Sequence, residues 1–185
     1  MHFYLERAQQ AIDLAIQGMS HAMIGDGQIT ADHLGQSSVG TQPGKWTGAQ
    51  ILEHLSLAYG STGRLLERCL QSGKPSATAP TFSKRIAAGF VLALGRLPSG
   101  REAPSFTRPR GLPPDAALTA FHQNLQAMDE TIARCETRFG AHVKIADHPF
   151  LGPLTLPQWR KFHWIHTRHH ARQLRRLRKE ASTQS

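Results

Sequence analysis

Apolar residues return at three- and four-residue steps in four long stretches of this chain, and that period calls for amphipathic helices packed on one another. In the first, from about Phe3 to Met23, the stripe is Leu5, Ala8, Ile12, Ala15, Ile16 and Met19. Gly25 and Gly27 end it, and the polar, glycine-rich stretch to Lys45 reads as a loop. The second begins with a capping box, Thr47 as N-cap with Gln50 three residues on, and Trp46 packed ahead of the cap. Ile51, Leu55, Ala58, Leu65 and Leu66 carry it to about Leu70. Gly60 and Gly63 weaken it by about 1 kcal/mol each relative to alanine, so they either admit a close helix contact or mark a kink.

The third long helix begins at Pro113-Pro114, where Pro114 suits the first turn and Asp115 complements the helix dipole. Leu118, Phe121, Leu125, Met128 and Ile132 form its apolar face, and it ends near Gly140. The fourth follows Thr155, with Pro157 in its first turn, and runs through Trp159, Phe162, Ile165, His166, His170, Gln173, Leu174 and Leu177. Residues 73–114 are irregular and rich in Pro, Ser and Gly. Within them Phe82 to Leu97 reads as a short helix with Ile86, Phe90, Val91 and Leu94 on one side, a lid or dimer surface rather than a membrane anchor. His142 to Ile145 reads as an extended piece and 148–153 as a turn, with no sheet expected. The fold class is therefore all-α: an antiparallel four-helix bundle in one domain over 1–185, with a frayed polar end.

The formal net charge is +9, which raises the question of anionic partners. The excess lies late, in Arg168, Arg172, Arg175, Arg176, Arg178 and Lys179. Cations in the last turns of a helix complement its dipole and form a solvated face, and no aromatic-interleaved groove accompanies them, so nucleic acid is a disfavoured partner. The longest apolar run, Ile86 to Leu94, is about half the roughly 20 residues of a membrane span, and the first residues lack the apolar core of a signal peptide. Two separated cysteines, Cys69 and Cys135, suggest no disulfide framework and read as buried helix residues rather than nucleophiles. The expectation is a cytoplasmic protein that does not enter the membrane.

The 11 histidines cluster where the helical pattern is strongest. Four residues apart on one helix, His166 and His170 return to within about 40° of each other, one turn apart. They share a stripe with Phe162, Gln173 and Leu177, and His54 lies on the apolar face of the second helix between Ile51 and Ala58. Two helices thus offer three imidazoles to one point. Three neutral nitrogen donors hold a divalent ion such as Zn, Ni, Fe or Mn and leave coordination positions open, where a bound water or thiol has its pKa lowered. Periodicity alone leaves two alternatives standing: His54 as a hydrogen-bonded core residue, and His163, one turn before His166, as the ligand in its place. His169 rotates outward, and Trp46, Trp159 and Trp164 read as core and pocket walls.

The segment from Trp46 to Leu55, with Trp46, Thr47, Gln50, Ile51, His54 and Leu55 at fixed spacing, resembles the signature of the DinB-like superfamily, also called YfiT-like metal-dependent proteins. The late segment resembles it more closely: His148-Pro149, Gly152, Leu154-Thr155 and Trp159 lead to His166, His169-His170 and Gln173-Leu174. Gln50 stands where glutamate is common, and 73–114 is longer and more basic than a minimal member needs. The resemblance implies a four-helix bundle of unusual topology with a long connection between its second and third helices. It implies His54, His166 and His170 as metal ligands, with Gln173 as a partner that orients an imidazole or packs a helix.

Members of that superfamily include transferases and an isomerase that use a low-molecular-weight thiol (bacillithiol, mycothiol or glutathione), and many with no known reaction. A thiol S-transferase acting on a small-molecule substrate is therefore the first expectation, with Arg64, Arg168 and Arg172 as candidate rim residues for the thiol's carboxylates. A metal-dependent hydrolase comes second, because it needs a base or proton shuttle. Glu53 faces about 100° away from His54, which leaves His163 and Asp147 as candidate shuttles. A non-catalytic, metal-binding structural or stress-response bundle that forms a homodimer is the third.

Overall fold

The computed structural model describes residues 1–23, 46–98 and 102–183. The loop expected over 24–45 and the frayed residues 184–185 lie outside the described residues, as does the side chain of Met19. The elements in chain order are α1 (Phe3–Met23), α2 (Gly48–Ser72), α3 (Phe82–Leu94), a single 3-10 turn (Ser105–Thr107), α4 (Pro114–Phe139), β1 (Lys144–His148), β2 (Gly152–Thr155) and α5 (Leu156–Thr183). The chain is mostly helical, and α1, α2, α4 and α5 coincide with the four periodic stretches.

The helix starts follow the local chemistry. At α2 the Gln50 amide donates to Thr47 Oγ1 at 3.2 Å while the Thr47 amide donates to Gln50 Oε1 at 2.9 Å. Thr155 and Gln158 make the same reciprocal pair ahead of α5, at 3.0 and 3.4 Å, so Pro157 falls within the first turn where its missing N–H is harmless. α3 stops earlier than the sequence suggests, because Gly95 takes a left-handed conformation (φ +62°) and its amide closes on the Val91 carbonyl.

Helix directions follow from paired contacts. α2 and α4 run parallel: Ser56 accepts from Asn124 at 2.8 Å, and further along Glu67 pairs with Arg134 at 2.8 Å. α2 opposes α5, with His54 beside His166 and His170, and Thr62 beside His163. α1 opposes α4, through His2 with Asp129 at one end and Asp13 with His122 further on. The expectation that neighbouring helices are antiparallel is thus corrected for α2 and α4. The 41 residues between Ser72 and Pro114 let the chain return to its starting end before α4 begins.

Gly60 and Gly63 mark the close approach of these two parallel helices. A Cβ on Gly63 would stand 3.8 Å from the Met128 Cα, and one on Gly60 would stand 3.4 Å from the Asn124 side chain. Leu5, Ile12, Ile51, Leu52, Leu55, Phe121, Leu125, Met128 and Ile132 fill the core between helices. Beneath it Arg160 of α5 is buried, donating to Asp129 at 2.9 Å and to Glu136, while Asp129 also accepts from the His2 amide.

The structure also corrects the expectation of no sheet. β1 and β2 pair antiparallel, Ala146 with Leu154 and His148 with Gly152. Gly152 turns with φ +69° under the Lys84 side chain of α3. Strands of five and four residues are too short to show a period of two, and Ile145, Ala146 and Leu154 are buried only because α2 and α5 lie against them. Among the described residues no helix is long and apolar enough to cross a membrane.

Candidate metal centre

α2 and α5 cross so that His54, His166 and His170 meet. His54 Nε2 lies 3.1 Å from His166 Nε2, and His170 Nε2 lies 3.0 Å from the same atom. The three ligand nitrogens all fall within 4.8 Å of one another. Nitrogens at about 2.0–2.1 Å from a tetrahedral ion sit roughly 3.3 Å apart, so the two short spacings to His166 are close to those of ligands that share one ion.

The proton positions point the same way. His54 Nδ1 donates to the Thr107 carbonyl at 2.8 Å, and a carbonyl only accepts, so the proton is on Nδ1 and the Nε2 lone pair faces the cluster. His170 Nδ1 donates to Gln173 Oε1 at 2.7 Å, with the same consequence. Gln173 is oriented in turn by its amide nitrogen, 3.4 Å from His169 Nε2. His166 can offer a proton to one of these two lone pairs and not to both. Burial pushes all three imidazoles below their ordinary pKa, His170 to about 3, and the neighbouring His54 and His170 depress His166 as well. At neutral pH the group is therefore uncharged and rich in lone pairs, which is the form that a divalent cation takes up. This buried group of three histidines can hold a metal ion.

His163 is not part of it. It is 1% exposed, its Nε2 is bonded to Thr62 Oγ1 at 3.1 Å, and burial lowers it to about 3. The structure thus brings together His54, His166 and His170 and leaves the alternative pair apart. Asp147 is held by the Thr78 amide and hydroxyl. Glu53 is 2% exposed and accepts from the backbone amides of Arg110, Gly111 and Leu112 at 2.8–2.9 Å. Three backbone amides thus occupy Glu53, whereas Asp147 stands in the cavity lining with Thr78 as its partner.

Of the expected rim cations, Arg64 lines the cavity in front of the histidines. Arg168 instead donates to the Gly95 carbonyl and stands over Trp164, tying α3 to α5, and Arg172 is not in the lining. Arg68 and Arg176 line it and were not anticipated. Thr107 could not be found from sequence either, because its carbonyl reaches His54 across 53 residues with no local signal. His148, quoted only as part of a motif, accepts at Nδ1 from the Phe150 and Leu151 amides at 3.2 Å. Its proton therefore sits on Nε2, and burial lowers its pKa to about 4. Trp46 packs on His54, ring centres 4.8 Å apart, as a wall of the site.

Fold and site together define a mostly helical protein with a buried three-histidine group suited to a metal ion. The chain belongs to the family described as protein of unknown function DUF1569, whose model matches residues 17–177. No curated protein and no solved structure matches it.

Proposed function

We propose that this chain is a divalent-metal-dependent protein of the DinB-like kind, its four long helices forming that superfamily's bundle, with His54, His166 and His170 as the ligands. The observation that carries the reading is the convergence of three Nε2 atoms, with the tautomers of His54 and His170 held by Thr107 and Gln173. Helix directions support the bundle, because parallel α2 and α4 require a long connection between them. The ion is zinc, nickel, iron or manganese, since neutral imidazoles accept most first-row divalent ions.

The reaction we favour is transfer of a low-molecular-weight thiol to a small-molecule electrophile. A divalent ion in this group supplies Lewis-acid stabilisation of a thiolate at neutral pH. Hydrolysis is disfavoured because Glu53 is taken by three amides, Asp147 is bonded to Thr78, and burial lowers His163 to about 3, which makes it a weak base. The chain's own part is to hold three neutral imidazoles together, those of His54 and His170 with their lone pairs inward, and to keep α3 over the cavity. Elemental analysis of the purified chain beside His54→Ala, His166→Ala and His163→Ala tests the site. Wild type and His163→Ala retain the metal, and the other two lose it; metal kept in His54→Ala and His166→Ala overturns the assignment. Turnover of an electrophilic probe with glutathione-type thiols, abolished by chelation, tests the reaction.

A further inference from the structure

The three histidines open on a cavity of about 1610 Å³, larger than the roughly 300–1,000 Å³ of an ordinary small-molecule site. It extends along the seam between α2 and α5. α3 lies over the stretch that leads away from the histidines toward the C-terminal half of α2. It is tied at one end by the Gly95 carbonyl to Arg168, and at the other Lys84 rests on Gly152 of the hairpin. Ala58 and Leu65 of α2 face this stretch from one side, and Ile86 and Phe90 of α3 from the other. Ile86 and Phe90 are exposed, so α3 presents apolar surface to the cavity instead of burying it in the core.

Alongside the apolar stretch stand Arg64 and Arg68, one turn apart on α2. The Arg64 side chain lies back along its helix: Nη1 is 3.2 Å from the point a Cβ would occupy on Gly60. Gly60 is six residues from His54, about 9 Å of helix rise. Unlike Arg108, Arg134 and Arg160, each of which has a carboxylate, Arg64 and Arg68 make no hydrogen bond or ion pair among the described residues. The lining carboxylates do not serve them: Glu102 is taken by Arg108 and Asp147 by Thr78. Glu180 lies past His170 on α5, toward the opposite end because α2 and α5 are antiparallel.

From this arrangement we infer that the cavity binds an organic anion with a metal-seeking head at the histidines, an apolar midsection under α3, and an anionic tail at Arg64 and Arg68. The head-to-tail separation is at least about 9 Å, the helix rise between His54 and Gly60 along the α2 axis. The apolar midsection gains by burial against Ile86 and Phe90, and the tail by charge-assisted hydrogen bonds from guanidinium groups that have no partner among the described residues. The inference rests on the metal reading for the head alone; the apolar stretch and the arginines stand without it.

The test uses the full chain loaded with cobalt(II), and as probes 8-mercaptooctanoate, 8-mercaptooctanol and their three-carbon counterparts. Sulfur-to-cobalt absorption and calorimetry report binding. The long acid binds about three- to tenfold tighter than the long alcohol, and the short pair shows no such gap because its tail falls short of Arg64. Arg64→Gln with Arg68→Gln abolishes the gap and leaves the alcohol unchanged; Phe90→Ser weakens both long probes. Equal binding of long acid and alcohol, or a gap that survives in the double variant, overturns the inference. Octanoate titrated into metal-free chain separates the two readings. Arg64-dependent octanoate binding by a chain that takes up no cobalt leaves the cavity inference standing and removes the metal site. Cobalt uptake with indistinguishable acid and alcohol does the reverse.

Discussion

Glu53 and His54, neighbours on α2, hold the same segment of the connection to α4: Glu53 accepts the amides of residues 110–112 while His54 donates to the carbonyl of Thr107. A buried carboxylate with three amide donors thus fixes the loop that sets the tautomer of an adjacent imidazole. Glu53→Ala leaves three amides without their acceptor and costs about 3 kcal/mol or more of stability, read by denaturant unfolding. Glu53→Gln keeps the shape and loses the charge. It lowers metal affinity in a chelator competition by about tenfold without removing the ligands. Unchanged affinity in a folded Glu53→Gln would show that the loop does not govern His54.

Gln173 bears on His170 as Thr107 bears on His54. Gln173→Leu removes the acceptor for His170 Nδ1 from a half-buried helix position and weakens metal binding by about 10- to 100-fold. Unfolding free energy of the metal-free chain moves by less than about 1 kcal/mol. A loss of stability without a loss of affinity would make Gln173 a packing residue.

His163 is expected to matter for stability and not for metal. His163→Ala opens a cavity beside Tyr59 and Trp159 and strands the Thr62 hydroxyl, at a cost of about 2–4 kcal/mol. The variant retains its ion if it is assayed below its lowered melting temperature.

Acid sensitivity follows from His148, whose folded pKa of about 4 lies below the ordinary 6.5. The unfolded chain binds a proton there at a pH where the folded chain does not, so stability is full above about pH 7 and falls as pH drops from 6.5 toward 4. The loss saturates near 3 kcal/mol, about 1.4 kcal/mol per pKa unit. Urea midpoints of metal-free wild type and His148→Gln from pH 7 to 4 check this, and the variant shows the shallower slope. Parallel slopes would mean that His148 does not titrate on unfolding.

Arg160 joins two acidic residues of α4 to α5 inside the protein. Arg160→Ala leaves Asp129 and Glu136 without their shared cation and destabilises by about 3–5 kcal/mol, whereas simultaneous replacement of all three by apolar residues is milder. Thermal melts of the single and triple variants distinguish the two outcomes.

The sequence by itself determined the helices and half of the site. Apolar spacing, the Thr47–Gln50 box, Pro114 and the glycines at helix ends are local properties of a few consecutive residues. They therefore placed α1, α2, α4 and α5 close to where they lie. The same helical geometry put His166 and His170 on one face. Only the tertiary structure decided that His54 rather than a core contact completes the group, that His163 turns to Thr62, and that α2 and α4 run parallel. It also decided that Thr107, 53 residues away, supplies His54 with its acceptor, and that Arg168 docks a helix while Arg64 and Arg68 face the cavity. The reason is physical: period and capping act over one or two turns, whereas which donor meets which acceptor depends on how the helices dock. That docking is governed by close approach at Gly60 and Gly63 and by burial of side chains from every helix at once.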